Sequence, residues 1–147
     1  MTWLMDGKRP DSVTAVTQHF QPDIYPHVDD EATVVVAYPK AVAILQASWN
    51  WPFDRKDLEV YGRTGQALTV KREAVRFRFE GKDESEVASP SLVAPEDDPV
   101  RYLAAVARGD VRPSGLSSLE NNLVVTEILD AARESSRTGR TVTLPAR

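Results

Sequence analysis

Glu31-Ala32-Thr33-Val34-Val35-Val36-Ala37-Tyr38-Pro39-Lys40-Ala41-Val42-Ala43-Ile44-Leu45-Gln46-Ala47-Ser48 decides the fold. Two runs of β-branched and small apolar residues flank a Pro-Lys pair, the pattern of two strands joined by a turn. One strand is expected over Glu31 to Tyr38 and the next over Ala41 to Trp51. Proline at the first turn position favours type I or II geometry over the primed hairpin turns, so a connection longer than two residues is expected.

The two faces of the later strand differ. Ala41, Ala43, Leu45, Ala47, Trp49 and Trp51 alternate onto one face, all apolar and mostly small, as a surface packed under helices requires. Val42, Ile44, Gln46, Ser48 and Asn50 take the other. That face is too apolar for open water and too polar for a dry core, which suits a subunit interface.

Upstream, Ser12 to Phe20 is rich in β-branched residues and predicts a further strand. Gln21 to Asp30 holds two prolines and three aspartates and must be a loop. Met1 to Pro10 reads as the last turn of a helix, with Gly7 in the left-handed position and Pro10 blocking continuation.

Downstream, Lys56 to Gly62 and Gln66 to Val70 predict a hairpin across Arg63-Thr64. Ala74 to Glu80 alternates, with Val75, Phe77 and Phe79 on one side. An acidic loop follows, with a short edge strand expected at Glu86 to Ala88. Asp98-Pro99 starts a helix that Gly109 ends; Ser117 with Glu120 makes a capping box for a second helix running to Thr138 before Gly139. Arg140 to Leu144 can return as a strand. Strands first and helices last give an α+β class: a predominantly antiparallel open sheet, helices packed on one face, the other face available for oligomerisation.

Composition narrows the function. At 147 residues, 41% hydrophobic and 27% charged, the chain fits one ordinary globular domain. Net charge is −4 and the basic residues are dispersed, so nucleic acid is not an expected partner. No apolar run approaches a membrane span, and no signal peptide is visible at the N-terminus. The absence of cysteine excludes disulfides and thiolate chemistry and agrees with a cytoplasmic location.

Few residues offer chemistry. Gly62-Arg63-Thr64-Gly65 is the one close glycine pair, but it lies between two expected strands; a dinucleotide cradle needs a strand, a Gly-rich turn and a helix. His19 and His27 lie near Asp23, Asp29, Asp30 and Glu31, yet the spacing matches no standard metal-ligand pattern and no metal is assigned. Trp49-Asn50-Trp51-Pro52-Phe53 is the densest aromatic cluster. Aromatic faces beside amide and imidazole groups suit a sugar or polyol, stacking on its apolar face and orienting its hydroxyls. His19, Tyr25, His27, Trp49, Asn50 and Trp51 are therefore candidate substrate-binding residues. A role for Trp49 and Trp51 in the core stays open beside this.

Several segments in order resemble the C-terminal domain of the Gfo/Idh/MocA family of oxidoreductases. They are Asp29-Asp30-Glu31-Ala32-Thr33, Ala47-Ser48-Trp49, Leu58 to Leu68 with its Gly62-Arg63-Thr64-Gly65, Asp98-Pro99-Val100-Arg101-Tyr102, and Asn121 to Leu144. The likeness runs from about Ser12 to Pro145, and Pro39-Lys40 departs from relatives that commonly turn on glycine there. It implies residues 1–10 as the tail of a helix from an upstream part and 11–147 as a substrate and dimerisation domain. It implies NAD or NADP in a full-length parent acting on a sugar, polyol or related hydroxy compound. The catalytic lysine of the family's E-K-P motif and its helical acid or histidine would precede Met1, so no catalytic or cofactor-binding residue is expected in this chain, which alone would be inactive. The resemblance also implies a pocket touched by Gln21 to Asp30, and a homo-oligomer formed through Val42, Ile44, Gln46 and Ser48. The alternative is a stand-alone, non-enzymatic binding or assembly module with the same fold.

Overall fold

In the computed structural model, which describes residues 1–70 and 73–145, eight strands and two α-helices follow a short 3₁₀ turn at Thr2–Met5. The strands are β1 (Ser12–Gln18), β2 (Glu31–Tyr38), β3 (Ala41–Ser48), β4 (Glu59–Tyr61), β5 (Gly65–Val70), β6 (Ala74–Phe79), β7 (Ser85–Ala88) and β8 (Val142–Thr143). The helices are α1 (Pro99–Arg108) and α2 (Leu119–Thr138). The class is α+β, as expected, with every strand pairing antiparallel. The strands divide between two four-stranded sheets, ordered β3-β2-β1-β8 and β4-β5-β6-β7. Two compact units result: Met1–Trp51 with Arg112–Arg147, and Pro52–Val111.

The first unit is built on the β2–β3 hairpin. Tyr38 pairs with Ala41, so Pro39-Lys40 is a two-residue connection, shorter than expected. Among the described residues only Asp6 has positive φ without being glycine, so the turn does without the left-handed geometry of primed turns. Proline's fixed negative φ enforces this.

Alternation sends Val13 and Ala15 of β1 and Val36 and Tyr38 of β2 to one face, where they meet Ile128, Ala131 and Ala132 of α2. Val13 and Val36 are fully buried, each worth about 1.5–3 kcal/mol in removal of apolar surface from water. The Ser135 hydroxyl, fully buried on α2, accepts a hydrogen bond from the Ala15 N–H at 2.9 Å. Arg9 ties the N-terminal segment to Glu127 of α2 and to the Pro145 carbonyl.

Two expectations need correction here. Ser118, not Ser117, caps α2: its Oγ accepts from Asn121 N–H at 3.2 Å, because Gly115–Ser117 forms a 3₁₀ turn that moves the helix start one residue on. A cap of this kind is worth about 1 kcal/mol. The packed face of β3 is also shorter than its alternation suggests. Ala41 and Ala43 join the core, but Leu45 is 39% exposed and Ala47 is exposed. α2 packs over β1 and β8, while β3 lies at the far edge of the sheet and its later half is left uncovered.

The second unit is a meander. Tyr61 pairs with Gln66 around the Arg63-Thr64 turn, as expected, and β7 is a four-residue edge strand. Register brings Val60, Ala67, Val75, Phe77, Phe79 and Val87 onto one face, and Glu59, Gln66, Arg76, Arg78 and Glu86 onto the other. The Phe77 and Phe79 rings lie nearly parallel, 6.3 Å apart. Asp98 caps α1 by accepting from Arg101 N–H at 2.7 Å, and Gly109 ends it at φ 80°.

Candidate functional site

The candidate site lies at one end of the first unit's sheet, where β1 leaves, β2 arrives and β3 ends. The chain between β1 and β2 folds back on itself. Asp30 N–H donates to the Gln18 carbonyl at 3.1 Å, and Ile24 and Tyr25 N–H both donate to the Gln21 carbonyl. His19 Nε2 donates to the Tyr25 carbonyl at 2.6 Å.

The hub of this loop is Asp30, which sequence reasoning left among four undifferentiated loop carboxylates. It is 3% exposed. Its carboxylate accepts from Phe20 N–H at 2.9 Å, Gln21 N–H at 2.7 Å and Asn50 Nδ2 at 3.1 Å. Its carbonyl accepts from Trp49 N–H at 2.9 Å and from Asn50 Nδ2 at 3.2 Å. Burial pushes the Asp30 carboxyl up, but the Phe20, Asn50 and Gln21 donors, with the charge of His19, outweigh it. The net effect holds the group below its ordinary value of 3.8. A carboxylate at the start of a strand, after a loop that doubles back, accepts local N–H groups as caps do; that was the available signal.

The Trp49-Asn50-Trp51 segment does not continue β3, which stops at Ser48. The reason is local. Trp49 N–H is taken by Asp30, and Asn50 N–H by Ser48 Oγ at 3.0 Å. The Asn50 amide is fully engaged: Nδ2 donates to Asp30, and Oδ1 accepts from Gln21 Nε2. Asn50 therefore clamps the loop to the end of β3 rather than presenting both ends of its amide outward.

Trp49 is 58% exposed, and its ring lies 4.8 Å from that of Tyr25 at a tilt of 52°. Of the six residues expected to line a pocket, the structure thus joins His19 to Tyr25 and Tyr25 to Trp49, and sets Asn50 beside them through Asp30. Trp51 is half-buried. His27 is exposed, and no hydrogen bond among the described residues links it to the others. Hollows in the surface form instead beside the β4–β5 turn, lined in part by Tyr61, Arg63, Arg78 and Phe79; none of the six residues contributes to them.

The open face of the same sheet holds the expected contact residues. Val42 and Ile44 are 66% and 67% exposed, with Gln46 exposed beside them. Ser48 is half-buried, its hydroxyl engaged by Asn50 N–H. Register sets Val16, Thr33 and Val35 alongside, so the face is apolar at its centre and hydroxyl- or amide-bearing at its edges.

Among the described residues no group of three or more His, Asp or Glu side chains is placed to hold a metal ion, and no helix is long and apolar enough to cross a membrane. Gly62-Arg63-Thr64-Gly65 joins β4 to β5 and precedes no helix, so it lacks the helix N-terminus that would meet a pyrophosphate.

This sheet, with a helix on one face and an open face opposite, is similar in fold to domains of solved structures. Residues 1–68 match the family model described as the GFO/IDH/MocA C-terminal domain. Solved structures agree in fold. A protein assigned as an oxidoreductase from Thermotoga maritima superposes with a TM-score of 0.78 at 19% identity, over 97% of this chain and 43% of its own. An aldose-aldose oxidoreductase from Caulobacter crescentus, complexed with glycerol, gives 0.73 at 20% identity, over 94% of this chain and 42% of its own. An inositol dehydrogenase homologue from Azotobacter vinelandii, complexed with NADH and myo-inositol, gives 0.65 at 15% identity, over 92% and 44%. The chain thus spans less than half the length of these proteins. Comparison of the sequence with curated proteins gave no match. The resemblance to a Gfo/Idh/MocA-type C-terminal domain read in the sequence is borne out.

Proposed function

We propose that this chain is the substrate-facing and subunit-contact half of an NAD(P)-dependent oxidoreductase acting on a sugar or polyol. One observation carries the reading: the match of residues 1–68 to the GFO/IDH/MocA C-terminal domain, a span holding both the Asp30-centred loop and the open face of β3. Relatives crystallised with glycerol, and with NADH and myo-inositol, support a polyol as the substrate class and a nicotinamide dinucleotide as the cofactor. The cofactor would be held outside the residues described, on a dinucleotide domain. Hydride transfer needs the nicotinamide held against the substrate carbon, so the isolated chain is expected to be inactive. Trp49 and Tyr25 would supply the stacking face, with His19 and His27 as polar edges. The cysteine-free composition fits the reducing cytoplasm.

The open face supports self-association through Val42, Ile44 and Gln46. Sedimentation velocity at tens of micromolar should give an oligomer that Ile44→Glu converts to monomer; a monomer unchanged by that substitution overturns the contact role. For the parent enzyme, the coding frame should continue upstream into a Gly-rich strand-turn-helix. A native product starting at Met1 with no nucleotide-binding partner would favour the stand-alone binding module instead.

A further inference from the structure

Resting on the substrate-facing role proposed above, we infer that the loop of residues 19–31 with Trp49 selects an uncharged polyhydroxylated ligand and discriminates against its phosphorylated or carboxylated derivatives. The first support is charge. Between Arg9 and Lys40, and again from Ala41 to Asp54, the sequence contains no lysine or arginine. The loop itself carries Asp23, Asp29, Asp30 and Glu31. No ion pair among the described residues reaches any of these four carboxylates. A ligand phosphate or carboxylate is ordinarily met by an arginine fork, a lysine or a cluster of backbone N–H groups; the loop has no arginine or lysine, and of its two imidazoles His19 is engaged by the Tyr25 carbonyl, which leaves His27.

The second support is where the backbone donors point. Phe20 and Gln21 N–H groups, which could cradle an anion, already donate to the Asp30 carboxylate. Trp49 N–H donates to the Asp30 carbonyl and Asn50 N–H to Ser48 Oγ. The protein's own buried carboxylate thus occupies the place a ligand anion would need. What is exposed is Trp49, its ring against the half-buried Tyr25, and Asp29, next in the chain to Asp30. Asp23 stands two residues from Tyr25 and is also exposed. Carboxylates accept from ligand hydroxyls and repel ligand anions. In a water-like dielectric each one within several ångströms opposes an added negative charge by a factor of roughly two to three. Several together, against a dianion, give a discrimination of about tenfold or more at low salt.

The test titrates the 147-residue chain with myo-inositol and with myo-inositol 1-phosphate, following tryptophan fluorescence and saturation-transfer NMR. The neutral compound should bind, with its signal lost in Trp49→Ala, and the phosphate should bind about tenfold more weakly or worse. The gap should narrow at 0.5 M salt and in the doubly neutralised Asp23→Asn/Asp29→Asn variant, whose substituted side chains are exposed and outside the core. Equal or tighter Trp49-dependent binding of the phosphate overturns the inference while leaving the substrate-facing role intact. A gap that neither salt nor neutralisation moves overturns it too, since charge would then not be the cause. Failure of both compounds to bind at Trp49 overturns the inference together with the role on which it rests.

Discussion

The sheet of the first unit lies under α2 with Val13 and Val36 fully buried, whereas the strands of the second unit bury no hydrophobic side chain among the described residues; there only Ala105 of α1 is buried. Both sheets are four-stranded, antiparallel and comparably rich in β-branched and aromatic residues. What separates them is cover. A sheet face becomes core only when another element lies across it, and hairpins without such cover rely on their ladders and cross-strand pairs. The first unit should therefore unfold as a cooperative body, and the second should open locally at lower cost.

The largest expected effect lies in the covered unit. Ile128→Ala removes the α2 side chain that meets Val13 and Val36 and should cost about 3 kcal/mol, read from urea denaturation. A loss below about 1 kcal/mol would mean that α2 does not close that core. Next comes Gly65→Ala in the uncovered unit. An added Cβ would sit 2.7 Å from the Arg78 carbonyl oxygen and 2.6 Å from the Phe79 ring, so β5 or β6 must shift, at a cost of about 1–3 kcal/mol. Hydrogen exchange should speed up in β5 and β6 while β1 and β2 keep their protection. Equal loss of protection in both sheets would break the comparison by showing one cooperative body.

The smallest effect concerns Asp30 and sharpens the picture at the site. Its carboxyl titrates below 3.8 in the folded chain, so the stability it lends is present at neutral pH. That contribution disappears as the pH falls from the ordinary carboxylate value through the lowered one. Amide shifts of Phe20 and Gln21 should follow this titration with a midpoint below 3.8, and Asp30→Asn should abolish it. A midpoint at or above the ordinary value would mean that burial outweighs the donors.

Strands with unbroken patterns were legible from sequence: β2 has the expected bounds, and Asp98, Gly109 and Gly139 cap as their chemistry dictates. Misreadings arose where a competing partner intervened. Trp49 to Trp51 look β-prone, but the Asp30 carbonyl takes the Trp49 N–H and the Ser48 hydroxyl takes the Asn50 N–H. Leu45 and Ala47 fit a packed face by alternation alone, and period-2 patterning is silent about how far along the sheet a helix reaches. Leu119, Leu123 and Leu129 widen the apolar side of α2 in sequence, yet all three are exposed. Asp30 was the harder miss: a carboxylate entering a strand after such a loop hints at a cap, but Asp29-Asp30-Glu31 does not mark which of the three turns inward.

β8 pairs with β1 only at Ser12 and Val13. Beyond that point the margin of β1 would present a bare ladder rung, the kind of template on which a stray chain can grow. At Ala15 the hydroxyl of Ser135 fills that rung from the side of a helix. One oxygen atom on α2 thus engages a donor that an added strand would need, where the sheet's last strand falls short.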